Sequence, residues 1–389
     1  MPKSAASGLR VGRFAFLDVL RGAACLAVVF FHAGIEVTKC SPHLASKLWL
    51  KACSLGYLGV PMFFVISGYC IANAACLNVT NVAGSWKFLA GRFRRIFPPC
   101  WLSLLSYLFV KLIISSSLLG GHFRFDAAPL SEFVNQNFAY YFSNVTLTQF
   151  ILGRGFISSV CWTLCYEVAF YCVVFCAMLF AQRKMSFLLN LLHGITLASV
   201  AFAILAPAWI SYPFDLWPQF GMGVLVYDLA TRKSSRWPQV FGFATALCVF
   251  GIAYFNKLEG TGRANQATLI AALASALLIS LMRQMDHQVS GTLPARMLAG
   301  IGRVSYSLYL IHYSVIAMVV KLIGQDLIAQ FPLVALFALA AISLMVTPLF
   351  FQLCEQPFLT SRWKLRDARL ATICGRFFRS YSAGWLNYR

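Results

Sequence analysis

FAFLDVLRGAACLAVVFFHAG, Phe14 to Gly34, decides what kind of protein this is. An apolar run of about 20 residues is the length a helix needs to cross the hydrocarbon core of a bilayer. This one nevertheless carries Asp18, Arg21 and His32. An ionisable side chain at membrane depth costs roughly 2.5 to 3.5 kcal/mol on insertion scales, so it normally faces a bundle interior or a wet cavity. Arg21 and His32 are eleven residues apart, about three helical turns plus 20°, with a rise of about 16.5 Å. They share one helix face at different depths. Two readings stand side by side: Arg21 pairs with Asp18 at i,i+3 or snorkels while His32 sits at the interface, or all three line a polar path.

The rest of the chain repeats the apolar pattern. Its 389 residues are 60% hydrophobic and 11% charged, which is the composition of a polytopic membrane protein. The expected fold is all-α, with about ten transmembrane helices near residues 14–34, 54–77, 96–119, 160–181, 187–206, 215–230, 238–256, 266–282, 302–323 and 332–354. Lys3, Arg10 and Arg13 lead straight into a full-length span, which predicts that the first helix stays rather than being cleaved as a signal. Most of the 32 Lys and Arg residues fall in the segments that lie on the same side of the membrane as the N-terminus, which places both termini in the cytoplasm. The first outer loop, with Lys39, Lys47 and Lys51, is the one segment that argues against it.

A net charge of +20 is thereby explained by topology, and nucleic acid is not an expected partner. The 13 cysteines are scattered, many within apolar runs, with no metal-site or disulfide spacing, and read as small core residues; no metal is expected. One membrane-embedded domain, 14–358, accounts for nearly all of the chain. The basic tail, 359–389, is suited to lie on an anionic cytoplasmic leaflet, so membrane lipid is an expected partner.

Further motifs add polar groups at depth. In LGVPMFFVISGY, Leu58 to Tyr69, Ser67 and Gly68 remove bulk mid-membrane and invite close helix packing. GRFRRIFPP reads as an inner loop before the third helix. Its Arg92, Arg94 and Arg95 are either ordinary positive-inside flanking or a clamp for phosphate, whose oxygens take paired hydrogen bonds from guanidinium forks. CWTLCYEVAFY, Cys161 to Tyr171, sets Glu167 about two turns below the outer surface, where it needs a cation or polar partner; Tyr171 follows one turn on. By depth, Glu167 and His32 share the outer half. Asp215, Trp217 and Gln219, near the outer face, could line a cavity, although aromatic-belt and capping roles are cheaper explanations, and the fifth to eighth helices otherwise offer little chemistry. GRVSYSLYLIH, Gly302 to His312, puts Ser305, Tyr309 and His312 on one polar stripe, open to structural or functional readings. CEQPF, with Glu355 and Pro357, marks the last exit. The sequons at Asn78 and Asn144 read as chance.

Six of these motifs, FLDVLRGAACLAVVFFHAG with its R-x10-H spacing, LGVPMFFVISGY, RFRRIFPPCW, WTLCYEVAFY, SYSLYLIH and CEQPF, occur in the order seen in the acyltransferase 3 family of integral membrane acyltransferases. The resemblance runs from Phe14 to Phe358. It implies transfer of an acyl group, most often acetyl from acetyl-CoA, to a hydroxyl of a carbohydrate or lipid-linked glycan bound for the cell surface, in a bacterial inner membrane. It implies that Arg21 and His32 are required for activity. On that footing the expectation is that Arg92, Arg94 and Arg95 hold CoA phosphates and His32 serves as general base, with Glu167 orienting it. Arg21 either positions the donor or stabilises the thioester oxyanion. Asp18, Ser67, Tyr171, Ser305, Tyr309 and His312 are candidates for lining the path. Some relatives carry an extracytoplasmic hydrolase-like domain too large for this chain, so transfer is completed alone or through a separate partner. The competing reading is a transporter or flippase for a glycan or lipid intermediate, and a third is a non-catalytic scaffold.

Overall fold

The computed structural model describes residues 15–79, 81–119, 122–125, 134–181, 184–205, 210–232, 242, 266–283, 286 and 292–359. The expected helix at 238–256, apart from residue 242, and the basic tail from 360 onward lie outside these residues.

The first helix, α1, runs Phe16–Cys40 and has no side-chain cap of its own. Asp286, far along the chain, supplies one: its carboxylate accepts from the backbone N–H of Ala15 at 3.2 Å and of Phe16 at 2.8 Å, satisfying groups that a helix start leaves open. The chain continues through α2 (Leu48–Ser54) and a 3₁₀ turn, Leu55–Leu58, into α3 (Gly59–Asn78).

Next comes α4, Val82–Ser115, whose 34 residues span about 51 Å. This corrects the expectation of an inner loop before a helix at 96. The prolines at 98 and 99 lie inside the helix, and Arg92, Arg94 and Arg95 are helical. The prolines leave the Arg94 and Arg95 carbonyls without their helical donors, and beside them the Tyr306 hydroxyl of a neighbouring helix donates to the Ile96 carbonyl at 2.7 Å. At its far end α4 also stops short of 119, giving way to an antiparallel hairpin of β1 (Ser116–Leu119) and β2 (His122–Phe125). Otherwise the all-α expectation holds. Two short helices follow, α5 (Phe138–Thr146) and α6 (Gln149–Leu152). The sequon asparagine in α5 is structural: Asn144 is buried, accepts from Ile157 N–H and Gln149 Nε2, and donates to the carbonyls of Tyr140 and Gly155.

The remaining elements are α7 (Trp162–Ala181), α8 (Met185–Leu205), α9 (Trp217–Thr231), α10 (Gln266–Met282), α11 (Leu293–Arg303), α12 (Ser305–Ile323), α13 (Gln325–Gln330), α14 (Pro332–Phe350) and α15 (Gln356–Leu359). Between α14 and α15 a widened π turn, Phe351–Glu355, buries Glu355, which accepts a hydrogen bond from the Ser307 hydroxyl. Seven helical segments among the described residues are long and apolar enough to cross a bilayer, and the chain is a multi-pass integral membrane protein.

Two close approaches lock the bundle. A Cβ on Gly302 would sit 1.8 Å from the Asp18 carbonyl oxygen, so α11 lies backbone against backbone on α1. The pairing of α3 with α9 is of the same kind, with a Cβ on Gly68 falling 2.1 Å from the Phe220 carbonyl, as the Ser67–Gly68 pair predicts. Gly302→Leu should therefore force α1 and α11 apart; the expected result is loss of monodisperse, detergent-extracted protein, read by size-exclusion chromatography, whereas wild-type yield would contradict the packing.

The α8–α9 pair holds chemistry that sequence reading missed. Buried His193 Nε2 lies 2.8 Å from Asp228 Oδ2, and Arg232 donates to both oxygens of the same carboxylate and to Asn190 Oδ1 at 3.1 Å. A carboxylate inside the bundle is held here by two basic partners, which is what its depth demands. Trp217 is likewise buried and donates to the Thr196 hydroxyl at 3.0 Å, so it is no member of an aromatic belt.

Candidate active site

Three cavities follow one another through the bundle, each sharing lining residues with the next. The first is a basic vestibule of about 290 Å³ beside α4, lined by Lys87, Arg92, Arg94 and Arg95 together with Asn78 and the Phe358–Leu359 end of α15. Residues three apart on a helix share a face, so Arg92 and Arg95 also reach the second cavity while Arg94 stays exposed. The Arg92 guanidinium lies 5.7 Å from the Phe88 ring centroid and 5.9 Å from that of Tyr171, a placement that holds it over the passage.

The middle cavity, about 90 Å³, gathers the polar groups that the sequence distributes over α1, α3, α4, α7 and α12: Arg21, Ser67, Arg92, Arg95, Glu167, Tyr171, Ser305 and Tyr309. Arg21 donates to Asp18 at 3.3 Å and to Cys70 Sγ at 3.0 Å. Glu167 accepts from the Ser67 hydroxyl at 2.8 Å and the Tyr171 hydroxyl at 2.6 Å. One carboxylate thus shares a narrow cavity with three guanidinium groups, leaving the space electropositive. Such a site draws an anion in and suits a thin chain rather than a folded ring system.

His32 lies in the third cavity, about 320 Å³, with Tyr57, Ser159, Trp162 and Gln219. Val60, Phe64 and Tyr309 border both it and the middle cavity. At that border the Tyr309 hydroxyl donates to the Val160 carbonyl at 2.8 Å and lies 2.8 Å from the Thr163 hydroxyl, which pins the side chain between the two spaces. The His32 ring is edge-on to Phe31 and Tyr313, at centroid distances of 5.0 and 5.5 Å, and 5.1 Å from His312. Among the described residues the Gln219 Oε1 is buried with no hydrogen-bond partner.

The structure joins most of the sequence candidates and separates a few. Arg21 and His32 do line one continuous series of cavities, though not the same one. Asp18 acts through its bond to Arg21, and Arg94 serves the vestibule alone. His312 packs behind His32. Glu167 shares Arg21's cavity, and among the described residues no hydrogen bond links it to His32, so the expectation that it orients His32 is not met. Helix depth alone had put the two together. Cys70, Thr163 and Tyr306 also line the middle cavity and were not singled out; Tyr306 stands three residues before Tyr309, a spacing that marks one helix face.

A profile of the acyltransferase domain matches residues 14–351. BcsY of Komagataeibacter xylinus, provisionally named a membrane-bound transacylase, is 27% identical over 311 residues, covering 76% of this chain and 71% of that protein. The peptidoglycan O-acetyltransferase OatA of Listeria monocytogenes is 25% identical over 330 residues, covering 78% of this chain and 49% of that protein. YrhL of Bacillus subtilis, provisionally named a peptidoglycan O-acetyltransferase, is 24% identical over 328 residues, 78% of this chain and 48% of its own. The chain thus spans about half the length of the two named for peptidoglycan. No solved structure matches it significantly. With a profile that runs from the first span to the π turn, and with the arginines, glutamate and histidine of its motifs lining adjoining cavities, this chain belongs to the acyltransferase 3 family.

Proposed function

We propose that the chain is a membrane O-acyltransferase that takes acetyl from acetyl-CoA and passes it to a hydroxyl of a cell-surface or lipid-linked carbohydrate. The observation that carries this reading is the series of cavities from a basic vestibule, past Arg21, to His32. CoA is a phosphate-rich anion with a long, thin pantetheine arm. Arg92, Arg94 and Arg95 would take the phosphates by charge-assisted hydrogen bonds, and the narrow middle cavity would take the arm. The vestibule then faces the cytoplasm of a bacterial inner membrane, where CoA is made.

At the far end His32 removes the proton of the acceptor hydroxyl as its oxygen bonds to the thioester carbonyl carbon. The carbon–sulfur bond then breaks, and the proton passes from His32 to the departing CoA thiolate. In this reading Arg21 acts on the donor arm rather than on the oxyanion. The reacting carbonyl must lie about 3 to 3.5 Å from an oxygen that His32 itself touches. Arg21 is about 16.5 Å of helix rise away, and its guanidinium is drawn back toward Asp18, one turn nearer the N-terminus. In the His32 cavity, Tyr57 and Trp162 offer aromatic surface to a sugar ring, and the open Gln219 Oε1 offers an acceptor to a sugar hydroxyl.

Relatives named as O-acetyltransferases acting on peptidoglycan support a carbohydrate acceptor. Nothing in these comparisons favours a transporter. The test is the surface glycan of cells lacking this chain, complemented by wild type or His32→Ala, with ester-linked acyl groups read by NMR and mass spectrometry. An ester lost with the chain and restored only by wild type is expected; unchanged esters with altered glycan export would overturn the reading. Acceptor acetylation by the purified chain separates transfer by the chain alone from hand-over to a separate extracytoplasmic partner.

A further inference from the structure

His312 sits on α12 with none of its surface exposed, in contact with the ring of His32. Its Nδ1 lies 2.8 Å from the Tyr309 carbonyl oxygen and 3.1 Å from that of Leu308. Carbonyl oxygens only accept, so Nδ1 carries the hydrogen and, in the neutral ring, Nε2 is left as a bare acceptor. That Nε2 is buried and has no hydrogen-bond partner among the described residues. A native core seldom leaves such an atom without a role.

Of the rings packed on His312, those of His32 and Tyr309, His32 is the one whose donors are uncommitted among the described residues. The two ring centroids are 5.1 Å apart with the planes at 48°, and among the described residues no hydrogen bond holds the His32 ring. At that separation a turn of the His32 side chain would bring one of its ring N–H groups toward Nε2. The other titratable groups around the pair are weaker claimants. Tyr309 is committed to Val160 and Thr163, and Lys39 pairs with Glu36 at 2.7 Å further along α1. Tyr313 meets the His32 ring edge-on, and Tyr57 lines the far side of its cavity. Packed against α12, α14 has no ionisable residue in its sequence.

We propose that His312 is the positioning residue for His32, filling the place that sequence reading gave to Glu167. The inference rests on the acyl-transfer reading above. In the reaction, one His32 nitrogen takes the acceptor's proton while the N–H on the other donates to His312 Nε2. That bond fixes the His32 tautomer and spreads the charge of the imidazolium. His312 itself gains and loses no proton, and the one that His32 takes leaves with the CoA thiol.

Two substitutions separate this role from a structural one. The amide N–H of His312→Asn can keep the bond that Nδ1 makes to the helix carbonyls but offers nothing at the Nε2 position. His312→Gln reaches that position with an oxygen acceptor. With purified full-length protein and acetyl-CoA cleavage read as thiol release, His312→Asn is expected to lower kcat by at least about tenfold with KM unchanged, and His312→Gln to regain most of the loss. Wild-type kcat in His312→Asn, or equal loss in both variants, would overturn the proposal. NMR of the full chain in detergent, with nitrogen-labelled histidine, needs no turnover. The signal lost in the His312 variants should be that of an Nδ1–H tautomer, and an Nε2–H tautomer would overturn the proposal even in an active enzyme. Absence of acetyl-CoA cleavage by the wild type would instead strike the acyl-transfer reading.

Discussion

Replacing His32 by alanine should leave a chain that inserts, folds and binds acetyl-CoA, yet turns it over at least about a hundredfold more slowly, the usual scale of a positioned general base. The argument is one of place. His32 is the histidine at the end of the cavity series remote from the vestibule, in the cavity roomy enough for a carbohydrate. Its helix is held by contacts that do not involve the imidazole, including the Asp286 cap and the backbone approach of Gly302. Assembly of the bundle should therefore survive the loss. The check is thiol release from acetyl-CoA alongside the elution profile in detergent. Undiminished release would remove His32 from the chemistry.

The second large effect is expected at the other end. A charge-assisted hydrogen bond to a charged group contributes about 1.5 to 3 kcal/mol, and Arg92 and Arg95 each face both the vestibule and the middle cavity. The double variant Arg92→Ala/Arg95→Ala should raise the KM for acetyl-CoA by about a hundredfold or more, while kcat at saturation changes far less. Arg94→Ala should do less, because Arg94 is exposed and lines only the vestibule. A lysine at either position keeps charge but loses the planar fork, so it should recover part of the affinity. Equal KM values for the double variant and wild type would mean that the donor enters elsewhere.

What the sequence disclosed, and what it hid, follows from which coordinate each residue depends on. Length and apolarity set a helix's position along the membrane normal. Those properties are local, which is why the spans at 14–34, 54–77 and 160–181 reappear as α1, α3 and α7. The Ser67–Gly68 pair was legible too, since missing bulk in a span has few uses besides close packing. Height relative to a neighbouring helix is another matter. Depth counted from helix ends put Glu167 and His32 in one half of the bundle, but the bond from Ser67 and the shared cavity set Glu167 at the level of Arg21, with His32 beyond Tyr309. No single-helix pattern encodes how far one helix is shifted past another. The prolines at 98 and 99 misled because proline is read as a boundary, whereas a tertiary partner, Tyr306, serves the backbone beside them. His193, Asp228 and Arg232 escaped notice because the histidine is a single residue on another helix, and it gains meaning only when α8 packs on α9. Arg92, Arg94 and Arg95 were legible as a cluster, and the long α4 turns the spacing of Arg92 and Arg95 into a shared face.

The central claim is that acyl-CoA enters from the basic vestibule and presents its thioester beside His32. A cryo-EM structure of the full chain with acetyl-CoA tests it most directly. The account predicts phosphates among Arg92, Arg94 and Arg95, the pantetheine arm past Arg21 and Glu167, and the acetyl group beyond Tyr309 within reach of His32. A nucleotide seated instead at the His32 mouth, or empty cavities at saturating acetyl-CoA, would contradict it.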